Sequence, residues 1–464
     1  MLDHPPLPRP RRERPSLRPP LTIAAPAPLV GLVGLVGLLV MLLMTSLPMM
    51  PARGAQPAVA SYRLEASYDV SVHLDWDTRW VDVDTTIALH NTSGGPVDRL
   101  ELNTAAAQLG SMRGLRVTVD GVRVRPSVVG QTIRVPFDEP LAEAAVASVR
   151  LDFRARLRTT VAGRSYFFAR LGDVAQLYRF IPWLSRAIRF GSQDHGEPFL
   201  TPSSPQVRVT ASSDRDLVWA TSGRQVGRPD RRTAVFVARD VRDFAIAASP
   251  AWRTVRGTSR DGATTIYAHT RRMDGRRLLD LARQELARYA KLTGVPYPYD
   301  TYRIAETGGG LPMEAPALTW IPRQRGPAEL PFLVSHETAH QWWYAIVGND
   351  QSTNAFADEA MADYFSRRAR LAIRPSRCPI DRLDRDIRDY STSCYYEVIY
   401  VQGARFLDDL RRDFGEAPFR RAVRAYTAAN RLGIGSNASL LEAFRAEMGE
   451  GVRMRFQRRF PSLY

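Results

Sequence analysis

The stretch VSHETAHQWW, Val334–Trp343, sets His336 and His340 four residues apart with Glu337 directly after the first. On a helix, residues four apart share a face, so both imidazoles project toward one point. Glu337 lies close enough to reach a water held there. Two imidazoles and a carboxylate suit zinc, with the fourth tetrahedral position left for water. In a chain of 464 residues with seven histidines, His-Glu-x-x-His arises by chance about 0.4% of the time. A solvated polar helix face therefore explains the stretch poorly. The third ligand is expected from the next helix: Glu359, in FADEAMADYF, follows His340 after 18 residues. Gly348 and the polar NDQSTN between them give the chain room to reverse. Asp358 points about 100° away from its neighbour on a helix, so only one of the pair faces the metal. Asp363, four residues beyond Glu359, either accepts the proton on a ligand histidine's other nitrogen or is a plain surface carboxylate.

The elements that must position these residues follow from periodicity. From about Ser61 to Pro250 short runs such as YRLEASYDVSVHLDW and WVDVDTTIALHN alternate apolar with polar, separated by turn signals such as NTSGGP. That pattern predicts an all-β module of antiparallel sheets. After about Arg260 the period becomes helical. MDGRRLLDLARQELARYAKLTG ends on Gly294, a C-terminal stop, and a short strand, TYRIAE, leads into TGGGLPMEAPALTWI. Helices are then expected over PAELPFLVSHETAHQWWYAIVG, NAFADEAMADYFSRRARLA, EVIYVQGARFLDDLRRDFG, APFRRAVRAYTAAN and SLLEAFRAEM. The fold class is α+β and multidomain, with segments at 1–57, 58–255 and 256–464.

A metzincin would need glycine at 343 and histidine at 346, which are Trp343 and Ile346 here. The pattern instead resembles the gluzincin zinc aminopeptidases, peptidase family M1, which include membrane alanyl aminopeptidase. The resemblance rests on His336-Glu337-x-x-His340 and Glu359, supported by HQWWYAIVGNDQ, DEAMADYF, GGGLPMEAP and YVQGARFLDDLR. It covers about residues 60 to 445, with its specific motifs in the second half. It implies a saddle-like β domain followed by a thermolysin-like catalytic domain, one zinc ion per chain, and peptide substrates. Glu314 would grip the substrate's free α-amino group, and the backbone at Gly309, Gly310 and Met313 would line an extended peptide. Tyr400 would donate its hydroxyl to the oxyanion, in preference to Tyr395 or Tyr396 because Gly403 sits in the matching place. Glu337 would be the general base.

Three departures accompany the resemblance. Ala360 replaces a usual glycine, Leu311 and Pro312 separate the glycines from Met313 and Glu314, and the family's large C-terminal helical domain is expected to be absent. A more open cleft is expected. An endopeptidase of the same fold, and a non-catalytic peptide-binding module, are the alternatives.

Net charge is +16, almost wholly from arginine, since Lys291 is the single lysine. The arginines are spread among aspartates without a basic stripe, which argues against nucleic acid as a partner. RPRRERPSLR precedes a chargeless run from Pro19 to Ala52 that contains LVGLVGLLVMLLMTSLPMM. That layout predicts either a cleaved export signal or a retained membrane anchor, with the rest of the chain outside the cytoplasm. Cys378 and Cys394 are the only cysteines. A disulfide and two buried thiols both remain open, and a bridge would stiffen the approach to Tyr400. Oligomeric state is not legible.

Overall fold

The computed structural model describes residues 60–188, 198–367 and 374–464, all within one contiguous unit. The N-terminal basic and apolar segment lies outside the described residues. Among the described residues no helix is long and apolar enough to cross a membrane.

In Glu65–Leu74 every second side chain is buried, the period of a strand that gives one face to a core. It pairs antiparallel with Trp80–His90, Val72 opposite Val83. Its other neighbour is Ser204–Ser213, and that pairing is parallel, Val70 opposite Val209. The eight-stranded sheet runs in the order Arg224–Gly227, Thr233–Val241, Ser204–Ser213, Glu65–Leu74, Trp80–His90, Val146–Arg156, Arg113–Val119, Val122–Val124. The expectation of purely antiparallel sheets is therefore corrected at one pairing. Parallel partners cannot be joined by a hairpin, so no local turn signal betrays them. Two four-stranded sheets complete the module, one of them containing Phe168–Leu171, Val174–Leu177, Ile246–Ser249 and Val218–Thr221.

The second half is built on a five-stranded mixed sheet that the periodicity revealed only at TYRIAE. Its order is Arg253–Thr258, Thr265–Thr270, Thr301–Thr307, Leu318–Pro322, Met313–Ala315. The segment MEAPALTW thus turns back on itself, and Met313–Ala315 becomes the edge strand, paired only with Leu318–Pro322. Helix Gly275–Thr293 covers one face. The Asp274 side chain caps its start and Gly294, at φ 73°, ends it. Ala305, Met313, Leu318 and Trp320 instead join the core of the β module, so the two halves share apolar burial.

The expected long helix through Gly348 is shorter. Helix Leu330–Ala339 stops with His340 as its cap residue. The following carbonyls turn away because Arg242, fully buried at the end of the β module, takes them: it donates to the oxygens of Ala345, Ile346, Thr201 and Gly433 at 3.0, 3.2, 2.8 and 3.1 Å. Gly348 is required beside it, since a Cβ there would collide with the guanidinium. The helix expected from EVIYVQ onward also changes character, forming a π-helical stretch at Tyr396–Gln402 before Gly403–Phe414. Cys378 and Cys394 form a disulfide, which resolves the alternative left open by the sequence.

Arg242→Met removes the donor to four buried carbonyls and is expected to lower stability by roughly 3 kcal/mol, read as a shifted urea midpoint. Reducing the disulfide, whose cysteines are 16 residues apart, should cost roughly 3 kcal/mol in the chain-entropy view. Thiol titration of the unreduced, denatured protein should find no free thiol.

Candidate metal centre

Helix Leu330–Ala339 is pinned on three sides before its ligands are placed. The Tyr302 hydroxyl lies 2.8 Å from Thr338 Oγ1 and 2.8 Å from Thr319 Oγ1, tying helix to sheet. The Tyr289 hydroxyl donates to Ser335 O at 3.0 Å, and Trp342 Nε1 to Val295 O at 2.8 Å. Gln341, fully buried, bonds Ala315 O and Ala317 N, both at 2.9 Å. That pair of bonds fixes the turn behind Glu314. Helix Glu359–Arg367 packs alongside. It is held close to Gly403–Phe414 because a Cβ on Gly403 would lie only 2.7 Å from the Ala360 Cβ. The alanine that departs from the family pattern is thus matched by a glycine opposite.

The three expected ligands converge. His336 Nε2 and His340 Nε2 are 3.3 Å apart, and Glu359 Oε2 lies 3.3 Å from the first and 3.4 Å from the second. Glu359 Oε2 is buried with no hydrogen-bond partner. A tetrahedral zinc with ligand bonds of about 2.0–2.1 Å separates its ligand atoms by about 3.3–3.4 Å. The triangle therefore has the size of one face of such a tetrahedron, and an orphaned carboxylate oxygen sits at its corner. These residues fit a zinc ion.

Electrostatics agree. The two imidazoles hold the Glu359 carboxyl far below the usual range, against its burial. Burial would discharge His340, but Asp358 and Glu359 hold its proton far more tightly than usual. With a divalent cation held by His336, His340 and Glu359, the metal would take that proton's place as the positive partner of the carboxylates.

Asp358, not Asp363, supports the ligands. His340 Nδ1 lies 2.8 Å from Asp358 Oδ1 and 3.1 Å from Trp343 O. This fixes the ring so that Nε2 faces the triangle. Asp363 stands 3.9 Å from His336 Nδ1, which is buried without a partner, and accepts instead from Arg367 Nε at 2.8 Å. Helix Glu359–Arg367 begins only at Glu359, so the 100° helical offset does not apply to Asp358. It lies before the helix and reaches the ligand from behind.

Glu337, 5% exposed, and Glu314, 4% exposed, bring carboxylate oxygens within 4.8 Å of each other and of a His340 ring nitrogen. The expected base and the expected amine anchor are thus placed beside the metal ligands. Gly308 and Gly310 are positioned by the β module, since a Cβ on either would collide with Leu171 or Tyr166. Gly309 and Met313 lie on that segment and on the edge strand. The Tyr400 ring stacks on His336 at 5.8 Å, whereas Tyr395 is buried in the helical core against Tyr390. Tyr400 extends from the π-helical stretch, a form often found at functional sites.

Two residues escaped sequence reasoning. Gln351 donates from Nε2 to Asp358 Oδ2 at 3.1 Å and to Glu314 Oε1 at 3.4 Å, while its Oε1 accepts from Arg179 Nη2 at 2.9 Å. Arg179 is buried between the Phe199, Tyr178 and Tyr344 rings and lies 3.8 Å from Asp243. It carries positive charge from the β module toward the site carboxylates, and Glu314 and Asp243 help hold its proton. Gln351 lay in view within VGNDQ; nothing in the sequence marks Arg179, because its role depends on contacts 172 residues away.

No family model and no curated protein matches the sequence. Solved structures do. An M1 zinc metallopeptidase from Deinococcus radiodurans is 21% identical with a TM-score of 0.62, covering 86% of this chain and 95% of that one. A mutant of an M1 zinc metallopeptidase from the same organism, bound to a Tyr-Ser-Ala substrate, is 20% identical at 0.62, covering 87% and 95%. A two-domain M1 zinc metallopeptidase mutant bound to L-arginine is 19% identical at 0.64, again covering 87% and 95%.

Asp358→Ala removes the acceptor on His340 Nδ1 and should weaken zinc binding about 10- to 100-fold, measured by competition with a chromogenic chelator. The chain has the fold of the two-domain M1 zinc metallopeptidases.

Proposed function

We propose that the protein is a zinc-dependent peptidase that removes residues from the N-termini of peptides outside the cytoplasm. The observation that carries this is the triangle of His336, His340 and Glu359 with Glu337 and Glu314 gathered beside it. One zinc ion per chain, when bound there, supplies Lewis acidity toward the scissile carbonyl and the attacking water. Glu337 takes the water's proton and returns it to the leaving amine. Tyr400, its ring on His336, offers its hydroxyl to the oxygen that becomes negative. Edge strand Met313–Ala315 has one paired side, and an extended peptide can add to the other. Glu314 on that strand then meets the substrate's ammonium group. The Tyr-Ser-Ala substrate held by the Deinococcus radiodurans relative supports peptides as the substrate class. The disulfide suits an oxidising compartment, and with the basic and apolar N-terminus it supports export or anchoring.

A second reading, endopeptidase, has one observation in its favour. The positive charge of Arg179 bears on Glu314, which offsets part of the charge an ammonium group would need.

Peptides with free and N-acetylated amino groups separate the two. The aminopeptidase reading predicts cleavage of the free-amine set only. Glu337→Gln should lower kcat by at least about 100-fold, the scale of general-base catalysis, with zinc content unchanged. Cleavage of blocked peptides would select the endopeptidase. Zinc-loaded protein without turnover on either set would contradict both.

A further inference from the structure

Behind the catalytic sheet lies a cleft of about 340 Å³, lined among others by Trp219, Arg224, Thr254, Tyr267, His269 and Arg303. Strands Val218–Thr221 and Arg224–Gly227 of the β module meet Arg253–Thr258, Thr265–Thr270 and Thr301–Thr307 there. Successive residues of a strand face opposite ways. Tyr302 bonds the metal-site helix, so Arg303 faces away from it, one sheet layer behind the site.

One cationic group of this cleft lacks a carboxylate partner. Arg303 is 5% exposed, yet only Nη1 is bonded, to Thr221 O at 3.1 Å and Thr301 Oγ1 at 2.9 Å. Among the described residues no carboxylate pairs with it; beyond those two bonds its cationic head meets the Tyr267 ring, 5.0 Å away. Arg224, on the rim, is already paired with Asp300. His269, 4% exposed, has Nδ1 3.0 Å from Thr254 Oγ1, while its Nε2 is buried without a partner. Burial and Arg303 push its pKa down to about 3, so the ring is neutral. One ring nitrogen thus meets Thr254 and the other meets no protein group. The cleft therefore presents a guanidinium without a carboxylate and, beside it, a buried imidazole nitrogen without a partner. A buried unpaired cation is costly and is ordinarily matched. Contrast Arg242, also buried without a carboxylate, whose guanidinium donates to four carbonyls.

We propose that this cleft binds a small organic carboxylate, with Arg303 taking the carboxylate and the Trp219 and Tyr267 rings holding an apolar body. A bare inorganic ion would leave the aromatic walls unused. Nothing in this proposal depends on the metal site or on the peptidase reading.

Benzoate and benzamide share an apolar body and differ in charge. The full chain is titrated with each at constant ionic strength, following tryptophan emission. Benzoate should quench saturably and benzamide should not. The quench should disappear in Trp219→Phe. The benzoate Kd should rise about tenfold or more in Arg303→Met, the loss of a charge-assisted contact. If Arg303→Met does not fold, Arg303→Lys serves: it keeps the charge, loses the planar fork, and should still bind more weakly than wild type. Equal benzoate affinity in the folded Arg303 variant and wild type, an equal response to benzamide, or no saturable response would overturn the proposal.

Discussion

Everything in the second half of the molecule answers to one constraint: three ligand atoms from two helices must stand 3.3–3.4 Å apart. Two imidazoles and a carboxylate stand there buried together, and Glu359 Oε2 has no hydrogen-bond partner. A divalent cation makes the arrangement favourable, and the surrounding structure keeps it ready for one. The helix carrying the histidines is pinned to the sheet by Tyr302, to its neighbour helix by Tyr289, and to the edge strand by Gln341. The second helix is brought near by the Ala360–Gly403 contact.

The same constraint explains why the β module belongs to the site. Glu314, Glu337, Asp358 and Glu359 concentrate negative charge in one buried region. Arg179 supplies positive charge from the other half of the chain through Gln351, which touches both Glu314 and Asp358. Arg242 does structural work beside it, absorbing the carbonyls freed where the helix ends early. Removing the β module would therefore expose an apolar face and also strip the site of a buried cation, Arg179.

Legibility followed locality. His336, Glu337, His340 and Glu359 were readable because their chemistry is written in spacing along one or two helices. Gly294 as a helix stop was readable for the same reason. The five-stranded sheet was largely hidden: Met313–Ala315 is three residues long and fully buried, so it shows no alternation. The supporting role goes to Asp358 instead of Asp363 because the helix, expected from Asn354, begins only at Glu359. Arg179, Arg242 and Gln351 act across long stretches of sequence, and only the folded chain brings their partners into view. The disulfide needed the same information, since sequence alone could not say whether two cysteines meet.

His336, His340 and Glu359 are the residues that would hold the zinc. X-ray absorption at the zinc edge on the purified full chain tests this directly. The account predicts one zinc per chain in a four-coordinate shell of nitrogen and oxygen at about 2.0–2.1 Å, with scattering from two imidazoles. A sulfur shell at about 2.3 Å, a shell without imidazole, or protein that retains no zinc would contradict it.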